Sequence, residues 1–190
     1  MPRISLPPEE EMTDEQKVVR DEAVAGIRGK VPAPMIAWIR NPELARRAQR
    51  LGELLRYQTM LEPSLSELAI LVVGRHWTSH LEWTAHKREG LKAGIDPQVI
   101  ADIAARREPN LPDDRAQVVY DFTRELLRAG RVSRAMYDRA NGILTERGVV
   151  ELVAIIGYYC MAGLTLNVFE FGIPEAIAPE LEDPEFPGNA

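Results

Sequence analysis

Glu67-Leu68-Ala69-Ile70-Leu71-Val72-Val73-Gly74-Arg75-His76-Trp77-Thr78-Ser79-His80-Leu81-Glu82-Trp83-Thr84-Ala85-His86 holds two helix starts and one helix break. Pro63-Ser64-Leu65-Ser66-Glu67 reads as a proline followed by a capping box, and Ser79-His80-Leu81-Glu82 reads as another. Gly74 lies between them, after an unbroken apolar run from Leu68 to Val73. On one continuous rod Glu67 and His86 would stand about 28 Å apart, at ~1.5 Å per residue. A reversal after Gly74 would instead fold Glu67 back towards His86.

Working outward, the same punctuation recurs and convincing alternating strands are absent. Thr13-Asp14-Glu15-Gln16 is a further capping box, predicting a helix to about Ile27. Asn41-Pro42-Glu43 sets an N-cap and an N1 proline before a helix through Leu55. The helix from Ser79 should reach about Lys92, and Asp96-Pro97 starts a short one through Ala105. An amphipathic helix follows from about Asp114 to Arg128, then one capped by Ser133. Gly148 ends that helix or separates it from the apolar helix that begins at Val149. The expectation is an all-α helical bundle, a single domain over residues 1–174. An acidic, proline-rich tail at 175–190 should be loosely held or lie across a neighbouring subunit.

Composition narrows the partners. A net charge of −6 in 190 residues argues against a nucleic-acid binder and offers nothing to an anionic membrane. The apolar stretch Leu152–Phe169 nears membrane-span length. It carries Gly157, Tyr158, Tyr159, Gly163, Thr165 and Asn167, which favours a buried core or interface helix. The single cysteine, Cys160, permits neither an intrachain disulfide nor a CxxC pair, which suits a reducing cytoplasmic setting. The N-terminus has no signal-peptide pattern.

All three histidines, His76, His80 and His86, fall within eleven residues, together with Trp77 and Trp83. Imidazole is the side chain best suited to move protons near neutral pH. At about 100° per residue, Ser79, Glu82 and His86 share one helical stripe with Trp83 beside them. Glu82 and His86 are spaced i, i+4, close enough for the carboxylate to orient the imidazole. Alternatively, Glu67 and Glu82 only complete their capping boxes. His76 and His80, also i, i+4, suggest a divalent-metal site with Glu82 or His86, although His80 points away from His86 on a regular helix.

The run Glu67–His86, with Arg75-His76-Trp77 and Leu81-Glu82-Trp83-Thr84-Ala85-His86 inside it, resembles the carboxymuconolactone decarboxylase family, which includes the alkylhydroperoxidase D-type proteins. Asn41-Pro42-Glu43-Leu44, Lys92-Ala93-Gly94-Ile95, Gly157-Tyr158-Tyr159 and Leu166-Asn167-Val168-Phe169 add to the likeness, which spans about residues 30 to 175. The redox branch carries a glutamate, a Cys-x-x-Cys pair and a histidine. Here Glu67 and His86 match the outer members, while Ser79 and Glu82 stand where the cysteines would be. Peroxidase chemistry of that type needs two thiols, so it ranks behind the non-redox branch.

The resemblance implies an alkylhydroperoxidase D-like bundle, a homo-oligomer (trimer, hexamer or dimer) and sites near subunit interfaces. It implies a lyase without metal or organic cofactor, acting on a small carboxylated lactone of aromatic-compound catabolism. His86 would be the general acid or base, Glu82 its orienting group, and Glu67 a third member. Arg75 would anchor the substrate carboxylate, and His76, Trp77, Ser79, His80 and Trp83 would shape the pocket. The alternative is a scaffold that binds a ligand or assembles without catalysis.

Overall fold

The computed structural model describes residues 2–182, and within them every regular element is helical. The order is α1 (Asp14–Ala25), α2 (Met35–Trp38), α3 (Pro42–Tyr57), α4 (Pro63–His76), α5 (His80–Lys92), α6 (Pro97–Ala104), α7 (Asp114–Ala129) and α8 (Arg134–Val168).

Helix α4 is the axis of the bundle. Every residue from Leu65 to Arg75 is buried, as expected of a helix that is apolar on all sides. It packs against α5, α7 and α8, while α1 and α2 dock on α3. The core joins Leu68, Ile70, Leu71 and Val73 of α4 to Val118, Val119 and Phe122 of α7 and to Leu144, Leu152 and Ile155 of α8. By length and composition α8 could cross a membrane, yet half of its apolar window is buried inside the molecule.

Most predicted caps form. Thr13 and Gln16 make a full capping box, and Asn41, Asp96, Asp113 and Ser133 each accept a backbone N–H. Helix α1 ends at Ala25, two residues short of Ile27. Two expected capping boxes are absent. Helix α4 starts at Pro63 in the N1 position with Glu62 as its N-cap, so Glu67 lies too deep in the helix to serve a cap. Ser79 does occupy the N-cap of α5, but its side chain makes no cap bond.

The final break is also displaced. Gly148 stays helical and packed, a Cβ there meeting Leu144 Cβ at 3.0 Å and Leu61 Cδ2 at 3.8 Å. The kink falls at Thr145 (φ 66°, ψ 166°), a backbone region otherwise reserved for glycine. The start of the tail is not loose: Leu181 is buried, and Glu180 meets Trp83 Nε1 at 3.3 Å and Lys87 Nζ at 2.5 Å. The remainder of the expected tail, 183–190, lies outside the described residues.

Candidate active site

The site is built by the turn between α4 and α5. The Thr78 N–H bonds the Arg75 carbonyl (3.2 Å) and the Ser79 N–H bonds the Gly74 carbonyl (2.9 Å), with Thr78 at φ 46°. This is a Schellman closure, which usually takes glycine at the left-handed position. It is held from outside: Arg75 Nη1 donates to Thr78 Oγ1 (2.9 Å) and Asn167 Nδ2 to the Trp77 carbonyl (2.7 Å). The chain therefore reverses, and α5 returns along α4.

Glycines set how closely the two helices approach. A Cβ on Gly74 would meet the Trp83 backbone N at 3.6 Å, and one on Gly90 would meet Leu71 Cδ1 at 3.3 Å and Glu67 Cβ at 3.8 Å. With that spacing, Glu67 on α4 faces His86 on α5, and Gly74 faces Glu82.

The result corrects the expected pairing. His86 Nδ1 lies 2.6 Å from Glu67 Oε2, both side chains being buried. No hydrogen bond joins Glu82 to His86, although they stand one turn apart. The i, i+4 spacing places Glu82 and His86 near each other, but it does not turn Glu82's carboxyl towards the ring. Since a carboxylate only accepts, Nδ1–H is the donor in this bond, and Nε2 is the nitrogen turned away from Glu67. The second oxygen of Glu67 faces Arg56 Nε at 3.8 Å, and Arg56 also reaches Glu89 at 3.6 Å. The Tyr159 ring packs edge-on to His86, with centroids 4.8 Å apart, and Tyr158 packs on Tyr159 at 5.3 Å.

Glu82 is in a different state. It is 4% exposed, and its Oε1 is buried without a hydrogen-bond partner among the described residues. Burial alone holds its carboxyl well above the usual carboxylate range. The Ser79 hydroxyl beside it is equally buried and unpartnered. Gly163 of α8 makes room for both: a Cβ there would stand 3.3 Å from Glu82 Oε1 and 3.6 Å from Ser79 Cβ. One turn of α5 thus carries a buried neutral acid and a carboxylate-bound imidazole.

Other expected site residues go elsewhere. Arg75, expected to anchor a substrate carboxylate, is buried and donates from Nε to the Ala104 carbonyl (2.7 Å) and from Nη2 to the Glu182 carbonyl (3.1 Å). His76 lies nine residues after Glu67, which at about 100° per residue turns it to the opposite face of α4. Its ring stacks edge-on with Trp77 (4.8 Å). Trp83 is a core residue, 1% exposed. His80 is half-buried, and among the described residues no three His, Cys, Asp or Glu side chains gather as metal ligands would. Arg56 and Gly163 carry no motif signal and become visible only through packing, while Tyr159, quoted within Gly157-Tyr158-Tyr159, gains its place beside His86 only here. Cys160 is half-buried, and burial raises its thiol above the ordinary range.

No protein-family model matches this sequence, and no curated protein matches it in sequence. Solved structures do match in fold. The debrominase Bmp8, in complex with 2,3,4-tribromopyrrole, superposes with a TM-score of 0.70 at 11% identity, over 91% of this chain and 92% of that one. An uncharacterized peroxidase-related protein from Silicibacter sp. TM1040 superposes with a TM-score of 0.71 at 19% identity, over 98% and 94%. The chain has the alkylhydroperoxidase D-like helical fold. At these identities the likeness concerns the scaffold, which carries catalysis in at least one neighbour.

Proposed function

We propose that this protein is an acid-base enzyme, a decarboxylase or related lyase or isomerase, acting on a small carboxylated lactone or similar intermediate of aromatic-compound breakdown. The supporting observation is the pair of titratable environments on one turn of α5: the neutral buried Glu82 and the Glu67-bound His86. A buried carboxyl held above its ordinary range beside a carboxylate-bound imidazole is an arrangement that proton-transfer sites use.

In this reading the bond to the substrate carboxylate breaks, CO2 leaves, and the electron pair moves into the conjugated carbonyl. The Glu82 acid donates a hydrogen bond to the enolate oxygen as charge develops there. His86, protonated on Nε2 and held at Nδ1 by Glu67, delivers a proton to carbon and is reprotonated from water. Isomerisation uses the same groups without the loss of CO2. Glu67 takes the orienting part that the spacing had given to Glu82.

The test is turnover of a panel of carboxylated lactones and β-keto acids, followed as CO2 release and as deuterium incorporation in D2O. His86→Ala should abolish both while helix content is kept, and Glu82→Ala, which removes the hydrogen-bond donor, should slow them by about 100-fold or more, the range for losing one oxyanion donor. Full activity in His86→Ala would refute the proposal. A second reading is a ligand-binding scaffold without turnover. It is favoured by the burial of the three side chains, Glu67, Glu82 and His86 being at most 7% exposed. Tight binding of a panel member with no His86-dependent turnover would select it.

A further inference from the structure

Arg75 and His76 were expected at the reacting site, yet they line a cleft of about 540 Å³ on the far side of α4. That volume falls within the ~300–1,000 Å³ of small-molecule sites. We propose that this cleft is a separate binding site for a small organic acid, one carboxylate head on a flat apolar body.

The charge balance of the walls gives the head group. The two acids are already engaged: Asp121 pairs with Arg139 at 2.9 Å, and Glu125 accepts the Ser133 N–H at 2.5 Å. Arg124 is committed to Glu108 and to the Tyr120 hydroxyl. Arg106 and Arg128 make no ion pair among the described residues. Arginines outnumber acids four to two in the lining, and these two guanidinium groups are left to grip a carboxylate with paired donors.

Arg106 is placed there at a conformational cost. It holds φ 56° at the end of α6, where Arg106 N bonds the Ile103 carbonyl (3.0 Å) and Arg107 N the Asp102 carbonyl (2.8 Å). Glycine would satisfy that turn more easily, but would leave the cleft without this cation. Loss of solvent and the neighbouring Arg106 both hold the His76 imidazole below its ordinary range. Near neutral pH it therefore offers a hydrogen bond and no third charge.

The body of the ligand follows from the remaining lining. Val72, Ile103, Leu127 and Met136 supply apolar surface. The Tyr120 ring, already covered by Arg124 at 5.1 Å, is a flat wall suited to an aromatic or conjugated ring.

The site is distinct from the Glu67–His86 pair, so it can be tested independently. Isothermal titration would use 2-naphthoate, with 2-naphthamide as the uncharged control and inorganic phosphate as the bare anion. We expect one saturable naphthoate site per chain, with amide and phosphate each at least about tenfold weaker. Arg106→Gln/Arg128→Gln should weaken naphthoate by about tenfold or more, equivalent to ~1.4 kcal/mol. His86→Ala and Glu82→Gln should leave it unchanged. Circular dichroism checks that each variant is folded, and Arg128→Gln alone serves if the double variant is not. Absence of saturable binding, equal binding of the amide, or equal binding of phosphate would overturn the assignment. So would loss of binding in His86→Ala with retention in the arginine variants, which would place the ligand at the other site.

Discussion

Replacing Glu82 by Gln should change the pH dependence of stability more than stability itself. The carboxyl is 4% exposed and its Oε1 has no partner, so burial keeps its proton on. In the unfolded chain the same group ionises near the ordinary 4.5. Between that pH and the raised folded value, the native state holds one proton more than the unfolded state. Its contribution is complete below the unfolded pKa and is lost as pH rises through the folded pKa. Within that window wild-type stability falls by up to ~1.4 kcal/mol per pH unit from this group alone. Glutamine copies the size and donor capacity of the protonated acid but does not titrate. The variant should therefore gain on the wild type as pH rises from the unfolded pKa towards the raised folded one, by up to ~1.4 kcal/mol per unit inside that window. In a chain of this size each kcal/mol moves the melting temperature by about 2–4 °C. Urea unfolding of both proteins, followed by circular dichroism at pH 5, 6 and 7, measures the difference directly. Parallel stability curves, or a variant that loses ground as pH rises, would show that Glu82 is ionised in the folded protein.

Three further outcomes follow from the packing. Glu67→Ala strips the buried Nδ1–H of His86 of its acceptor and should cost about 3 kcal/mol, whereas Glu67→Gln, which keeps an acceptor, should cost less. An unchanged melting curve for Glu67→Ala would mean that the bond carries no weight. Gly52→Ala would place a methyl 2.1 Å from the Tyr158 hydroxyl oxygen and 2.4 Å from its Cζ, an overpacking worth about 1–3 kcal/mol. Denaturation should show that loss, and Tyr158→Phe added to it should recover only part, because the ring carbon also collides. Thr145→Gly should raise stability by about 1 kcal/mol by relieving a positive φ, and a drop in the same assay would indicate that the Thr145 side chain matters more than its backbone strain.

Helix identities were legible wherever a cap and a breaker coincided. Asn41-Pro42 and Asp96-Pro97 mark the starts of α3 and α6, since proline at N1 fixes the position. The same rule, given too little weight at Pro63, moves the start of α4 and removes Glu67 from any capping role. The reversal after Gly74 was visible in the sequence, and with it the approach of Glu67 to His86. The choice of partner was not. Helical spacing sets which side chains share a stripe, but the rotamer that brings Glu67 to His86 depends on the approach of α4 and α5. That approach is set by Gly74 and Gly90, which have no pattern of their own. Arg75 misled for a related reason, because a lone arginine at a helix end gives no sign of whether its donors will meet substrate or, as here, backbone carbonyls.

The missing side chains at Gly74 and Gly163 also constrain how the site can change. A cysteine at position 82 would place a short thiol there. The carboxyl here is longer, and its Oε1 occupies volume within 4.0 Å and 3.3 Å of the Cβ positions those two glycines lack. Exchanging carboxyl for thiol at position 82 therefore also changes the packing against Gly163. Cysteine in this background would leave a void between α4, α5 and α8, and alanine at position 163 would crowd the glutamate carboxyl. Gly163 is the more demanding of the two glycines: a methyl there would push Glu82 Oε1 back by a few tenths of an ångström, whereas one at Gly74 would rest in ordinary contact.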